Sequence, residues 1–191
     1  LTEAQTFINK TLTYEKNPPT DYQKKALFLG EYCNPGNGAV PKDYIDNNIL
    51  PSSINVTKLY EEDGNENAAA VISKLNQGYS LINHVGHGNT GTLCVGTDSM
   101  GNGDMDGLMN VNKYGVFYSS SCYSGNFEGD AIGEHFVLNS GGGGIAYIGN
   151  SRYGWYGGGE QWGPCPDVTC NYGGRYDIDF FTSLFTDGFY H

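Results

Sequence analysis

The chain has 191 residues, and its 10 Lys+Arg against 21 Asp+Glu give a formal net charge of −11. This length is enough for one ordinary domain with a hydrophobic core. The excess of acid argues against binding a nucleic-acid backbone, which needs clustered Lys and Arg. No apolar run approaches the ~18 residues of a membrane span, and the composition is typical of an extracytoplasmic globular domain, secreted or at the cell surface.

The termini and the cysteines indicate a piece of a longer, exported chain. The sequence starts at Leu1 without an initiator Met and without the features of a signal peptide, so we expect other domains in the parent chain. Cys165 and Cys170 are close enough in a Gly/Pro-rich loop to form a disulfide, which fits an oxidising compartment. Two unpaired loop cysteines are the alternative.

Short apolar runs alternate with helical segments along the chain. Strands are predicted at residues 25–30, 54–60, 79–85, 114–120 and 144–149. Helices are predicted at the start of the chain up to Asn17-Pro18-Pro19, at 41–50, 66–77 and 131–138, and near the C-terminus from Phe180. This order predicts an α/β fold, a three-layer sandwich in which helices flank a mostly parallel sheet.

Residues 156–175 are rich in Gly, Tyr and Trp and interrupt this pattern. We interpret residues 1–191 as a single domain and residues 156–175 as a loop insertion. The insertion either lies over the ligand cleft and restricts substrates or covers an edge of the sheet.

Reactive side chains follow three of the predicted strands. Glu31 follows the first strand, His87 the third and Cys122 the fourth. Ligands of parallel sheets bind outside the carboxyl ends of the strands, so these side chains are expected on one rim. A nearby imidazole raises the thiolate fraction of a cysteine and then protonates a leaving amine, as amide hydrolysis requires.

Glycines flank both positions and favour close approach of a substrate. The N–H groups of Gly88 and Cys122 can form an oxyanion hole, and Glu31 can accept the second ring N–H of His87. We interpret His84, which lies three residues earlier, as a core or supporting residue. An isolated Cys or His is more often structural, but their joint placement points to catalysis.

Three segments resemble the gingipain-type cysteine peptidases, which have the caspase-like fold. Residues 80–88 end in Gly-His-Gly, residues 121–127 carry Cys-x-x-Gly-x-Phe, and residues 12–31 are similar to the first helix and strand of the family. The resemblance implies a cysteine endopeptidase acting on proteins or peptides, with Cys122 as nucleophile, His87 as general base and acid, and Glu31 as the acidic partner. No cofactor is required.

The resemblance also implies a substrate preference. In the gingipains an aspartate beyond the first strand lies in the primary specificity pocket, and Asp43 is near that place, with Asp46 as the competing position. Trp155 is similar in position to a tryptophan that forms a wall of the pocket. An acidic pocket would favour Arg or Lys before the cleaved bond, whereas a solvated helix carboxylate is the alternative for both aspartates.

A Gly-rich loop over residues 98–107 groups several oxygen-bearing side chains. Asp98, Asn102, Asp104 and Asp106 could bind calcium, which takes six to eight oxygen ligands. The spacing differs from that of an EF-hand, and a polar turn before a short helix is the alternative.

A catalytically silent module of the same fold is the competing function. Its support is the aromatic, Gly-rich segment around Trp155, which could stack on a binding partner. The presence of Cys122, His87 and Glu31 together favours the enzyme.

Overall fold

The computed structural model describes residues 2–33, 36–155 and 172–188 and contains a central five-stranded sheet. All four neighbouring pairs in that sheet are parallel, in the order β10-β9-β5-β1-β4. The strands are β1 (Lys25–Gly30), β2 (Tyr32–Cys33), β3 (Gly36–Asn37), β4 (Asn55–Tyr60), β5 (Leu81–Val85), β6 (Gly88–Asn89), β7 (Thr92–Val95), β8 (Asp98–Gly101), β9 (Gly115–Ser119) and β10 (Gly144–Gly149).

Helices cover both faces of this sheet, which confirms the predicted three-layer α/β architecture. They are α1 (Thr2–Lys16), α2 (Ala39–Asn48), α3 (Ala68–Leu75), α4 (Asn102–Asp106), α5 (Ile132–Leu138) and α6 (Tyr172–Phe185). Within the described residues, no helix is long and apolar enough to span a membrane.

Two hydrophobic clusters fill the spaces between the layers. Alternation along β1 sends Leu27 and Leu29 to one face and Ala26 and Phe28 to the other. The first face packs against α3 and α5, and the second against α2 and α6. At roughly 25 cal/mol per Å² of buried apolar surface, these clusters are the main favourable contribution to folding.

The structure adds elements that the sequence pattern did not predict. Residues 88–101 form a three-stranded antiparallel sheet, β6-β7-β8, and β2 pairs with β3 in a short hairpin. Helix α6 begins at Tyr172 rather than near Phe180. Most of the predicted insertion, residues 156–171, lies outside the described residues.

Candidate active site

The two predicted catalytic side chains follow neighbouring parallel strands. Strands β5 and β9 pair in a register that sets His84 opposite Ser119. His87 and Cys122 each lie three residues beyond that pair, and both line one pocket with a cavity volume of about 120 Å³. The carboxyl edge of the sheet therefore brings an imidazole and a thiol together across 35 residues of sequence.

A strained turn holds the thiol of Cys122 at the pocket. Cys122 is half-buried, and its Sγ lies 3.6 Å from the carbonyl oxygen of Gly154. The next residue, Tyr123, has a φ of 56° in the left-handed region, and its N–H donates to the carbonyl of Arg152 over 2.8 Å. A non-glycine residue in this region costs about 1–2 kcal/mol, and surrounding hydrogen bonds hold it there.

Asn150 holds the same turn, a role that the sequence analysis missed. Its Nδ2 donates to the carbonyl oxygens of Ser120 and Ser121, each over 3.0 Å, and its own carbonyl accepts from the N–H of Gly125. The sequence feature that could have indicated this role is the position of Asn150 directly after β10, at the same edge of the sheet as Cys122.

Glu31 contacts His87 through the main chain rather than through the ring. Its Oε2 accepts the backbone N–H of His87 at 2.5 Å, whereas the sequence predicted a hydrogen bond to the imidazole. Burial raises the pKa of the Glu31 carboxyl. A Cβ at Gly86 would lie 2.6 Å from Glu31 Oε2, so only glycine allows this close approach. The carboxylate therefore fixes the path of the loop that carries His87.

The backbone N–H of Gly88, which the sequence predicted as an oxyanion donor, is not hydrogen-bonded to the neighbouring strand β7. The N–H of Cys94 donates to the carbonyl of His87 over 2.9 Å, and Gly88 lies opposite Leu93. Gly88 is therefore in a non-hydrogen-bonded pair, in which its N–H points away from β7. A Cβ at Gly88 would come within 2.9 Å of the Cβ of Ser121, the residue before the nucleophile.

A buried neutral network lies beneath these two loops. His84 Nε2 contacts the carbonyl of Cys94 at 2.8 Å, so this nitrogen carries the proton. His84 Nδ1 then accepts from the hydroxyl of Ser119 at 2.9 Å, and Ser119 Oγ accepts from Ser121 Oγ at 2.8 Å. Burial lowers the pKa of His84 to about 4, which keeps the ring neutral. His84 thus joins β7, beside His87, to the strand that leads into Cys122.

Trp155 lines the pocket, whereas Asp43 lies elsewhere. The Oδ1 of Asp43 on α2 accepts from Lys58 Nζ and from Tyr60 Oη, each at 2.9 Å, and Asp46 contacts the same ammonium at 2.6 Å. The side chain of Asp43 is 46% exposed beside β4. This placement differs from the predicted position in the specificity pocket.

The lining of the pocket also includes Cys33, which the sequence analysis did not single out. The described lining residues are Cys33, Val85, Gly86, His87, Ser120, Cys122, Gly154 and Trp155. None of these described residues is an aspartate or glutamate. Cys33, Cys94 and Cys122 are unpaired thiols, and Cys165 and Cys170, for which a disulfide was predicted, lie outside the described residues.

The four oxygen-bearing residues of the predicted calcium loop contact separate partners. Asp98 accepts the N–H of Ala68, Asp104 that of Gly101, Asn102 donates to Asp130, and Asp106 contacts His135. In the described ranges, no group of three or more His, Cys, Asp or Glu could hold a metal ion. Calcium binding stays a prediction from the sequence.

Comparison with known families identifies the chain. The model of peptidase family C25 matches residues 1–191, the whole sequence. The chain belongs to peptidase family C25. No curated protein matches it.

Solved structures of gingipain-type peptidases share the fold of this C25 chain. The Arg-specific cysteine proteinase gingipain R (RgpB) matches with a TM-score of 0.69 and 21% identity, over 80% of this chain and 38% of that one. A complex of the pro- and mature domains of Porphyromonas gingivalis RgpB gives 0.68 and 23%, over 80% and 38%. A structure described as a protease gives 0.69 and 24%, over 80% and 34%. The chain therefore spans less than two fifths of these relatives.

Proposed function

We propose that this chain is the catalytic domain of a cysteine endopeptidase that hydrolyses protein or peptide substrates outside the cytoplasm. The observation that carries the proposal is that Cys122 and His87 line one pocket at the carboxyl edge of the sheet. Membership in a peptidase family agrees with it. The proposal also includes other domains in the mature protein.

The chemistry follows from the two side chains. His87 takes the proton of the Cys122 thiol as the sulfur attacks the peptide carbonyl carbon, and the C=O electron pair moves to the oxygen. The N–H groups of Gly88 and Cys122 stabilise that oxyanion, each donor contributing about 3 kcal/mol. The C–N bond then breaks, and His87 donates its proton to the leaving amine. Water activated by His87 hydrolyses the thioester and restores the thiol.

Glu31 acts in this mechanism as a positioning residue. Its hydrogen bond to the backbone N–H of His87 holds the loop, and not the tautomer of the ring. The preference for Arg or Lys that the sequence suggested relied on Asp43. That carboxylate pairs with Lys58 and is not among the described lining residues of the pocket, so the preference for Arg or Lys stays a prediction from the sequence.

The proposal is tested by covalent labelling of the nucleophile. We expect the folded chain to gain one mass increment from a mixture of peptidyl chloromethyl ketones, at Cys122, and Cys122→Ala to gain none. His87→Ala should slow casein hydrolysis by about 100-fold or more. A folded, reduced chain that gains no label and hydrolyses no casein would instead be the silent binding module.

A further inference from the structure

Three polar side chains meet in the apolar layer between the central sheet and helices α2 and α6. Lys42 lies on α2, Asn83 on β5 and Asp177 on α6, and all three are fully buried. Asn83 lies opposite Phe28 in the register of β1 and β5, and Phe28 belongs to the apolar cluster of this layer. The three polar groups therefore contact one another in a water-poor interior.

The amine of Lys42 is close enough to the side-chain amide of Asn83 to react with it. Lys42 Nζ lies 2.5 Å from Asn83 Oδ1. Because a C=O bond is about 1.2 Å long, Nζ lies within about 3.7 Å of the amide carbon Cγ. Reacting atoms held about 3–3.5 Å apart are in a near-attack geometry, and the buried pair is at or close to this geometry.

Asp177 contacts both reacting groups at once. Its Oδ2 lies 2.5 Å from Lys42 Nζ, and its Oδ1 accepts from Asn83 Nδ2 over 2.8 Å. One oxygen of the carboxyl group thus faces the attacking nitrogen and the other faces the nitrogen that would leave. A carboxyl group in this position can take a proton from the amine and give one to the leaving group.

Burial favours the protonation states that the reaction needs. An ammonium group has no lone pair and cannot attack a carbonyl carbon. Burial lowers the pKa of Lys42 and raises the pKa of Asp177, because each charged form loses its water. Transfer of one proton across their hydrogen bond gives a neutral amine, which is the nucleophile, and a neutral carboxylic acid.

We propose that Lys42 and Asn83 form an intramolecular isopeptide bond, with Asp177 as general acid and base. Nζ attacks Asn83 Cγ, and the C=O electron pair moves to Oδ1. Asp177 donates its proton to Nδ2 and takes one from Nζ. The C=O bond then re-forms, the bond from Cγ to Nδ2 breaks, and ammonia leaves. The reaction consumes no oxidant or other reactant and returns Asp177 to its protonated form.

The geometry favours Asn83 over Asp177 as the electrophile. Attack on the carboxyl carbon of Asp177 would consume the group that transfers the protons. The bond to Asn83 joins α2 to β5 across 41 residues of sequence, four residues before His87. A cross-link that closes a long loop stabilises a protein by constraining the unfolded chain, as a disulfide does.

The ion pair of Lys42 and Asp177 is the state before this reaction. Stability comparisons of variants at these positions therefore use the freshly refolded, unreacted parent. The inference is independent of the proposed peptidase function, because none of its three residues is among the described residues that line the catalytic pocket.

Intact-mass analysis tests the proposal. Chain recovered from inclusion bodies in urea should have the full sequence mass, and the refolded chain should lose about 17 Da, the mass of ammonia, with time. Proteolytic digestion should then give a branched peptide that joins Lys42 to Asn83. An unchanged mass of the folded chain would overturn the proposal, and so would a loss of about 18 Da with a branch between Lys42 and Asp177.

Variants assign the role of each group, after circular dichroism has shown that each is folded. Lys42→Arg keeps the positive charge without a reactive amine and should keep its full mass. Asp177→Asn removes the proton transfer and should slow the loss of ammonia by about 100-fold or more. Lys58→Arg is the matched control, since Lys58 pairs with Asp43 at a partly exposed site, and it should react like the parent. Formation of the branched peptide at the parental rate in Asp177→Asn would contradict the role of Asp177.

A succinimide is the other product that loses ammonia from an asparagine. The chain contains Asn37-Gly38 and Asn102-Gly103, where such a ring closes most easily. Mild base reopens a succinimide and restores the mass, whereas the isopeptide amide persists. Recovery of the full mass in mild base, with no branched peptide, would overturn the isopeptide bond.

Discussion

Two adjacent residues of β5 belong to two different buried polar networks. One network is charged and the other is neutral. Asn83 faces α2 and α6, where Lys42 Nζ contacts Asn83 Oδ1 and Asp177 Oδ2, both at 2.5 Å. His84 faces the other side and joins a neutral chain of hydroxyls. All of Lys42, Asp177, Asn83 and His84 are fully buried.

Under the proposed function, one face of β5 serves stability and the other face serves chemistry. The charged network connects α2, β5 and α6, elements far apart in sequence, and Lys42, Asn83 and Asp177 are not among the described residues that line the pocket. The neutral network ends at Ser121, beside Cys122, and can hold the catalytic loops without adding charge to the site. We expect substitutions in the first network to change folding, and substitutions in the second to change catalysis as well.

The largest expected effect comes from breaking the ion pair. Asp177→Ala leaves the Lys42 ammonium buried without a counter-charge, which should lower the free energy of unfolding by about 3–5 kcal/mol. Urea unfolding followed by circular dichroism measures this change. The double variant Lys42→Met/Asp177→Leu should recover most of the loss. A loss below about 1 kcal/mol in Asp177→Ala would contradict the assignment of this network to stability.

A second prediction uses pH to separate the networks. The pKa of His84 is lowered to about 4 by burial, against 6.5 as its ordinary value. As the pH falls below 6.5 the unfolded chain binds a proton that the folded chain excludes, so stability is lost between about pH 6.5 and 4. The contribution of this group is about 3 kcal/mol across that window.

His84→Gln removes the titrating group and should flatten this part of the stability profile. Urea unfolding at closely spaced pH values compares the variant with the parent. Ser80→Ala, which removes no titratable group, is the control and should keep the slope of the parent. Parallel profiles for His84→Gln and the parent would show that His84 does not cause the acid instability.

The smallest expected effect concerns turnover. Ser119→Ala leaves His84 Nδ1 without its donor and Ser121 Oγ without its acceptor, so the Cys122 turn loses one fixed contact. We expect kcat to fall by about tenfold with KM nearly unchanged. Ser80→Ala is the control, because Ser80 Oγ donates to Lys25 at the opposite edge of the sheet. Similar losses of kcat in both variants would contradict a positioning role for Ser119.

Much of the fold was predictable because its strands are continuous apolar runs. The runs at 25–30 and 144–149 coincide with β1 and β10, and the other three central strands differ by one or two residues at an end. The short strands β6 to β8 were not predicted. They lie in a Gly-rich, polar segment where two to four residues give no hydrophobic period.

The candidate site was predictable only in part, and α2 shows why. The sequence placed a pocket carboxylate at Asp43, yet Lys42 faces the core and Asp43 faces Lys58 on β4. Successive helix positions differ by about 100°, so one residue of uncertainty in an alignment moves a side chain from one surface to another. Similarly, the sequence predicted a contact between Glu31 and the ring of His87. It could not reveal that the carboxylate contacts the main chain of His87 instead.

The sequence by itself determined the layered α/β fold and the placement of Cys122, His87 and Glu31 after their strands, because apolar periodicity and strand ends are local properties. Only the tertiary structure decided which side chains line the pocket and which carboxylates are neutralised. Those outcomes depend on contacts between distant segments, such as Lys42 with Asp177, 135 residues apart. Burial and hydrogen bonding then set each group's charge, which no local pattern encodes.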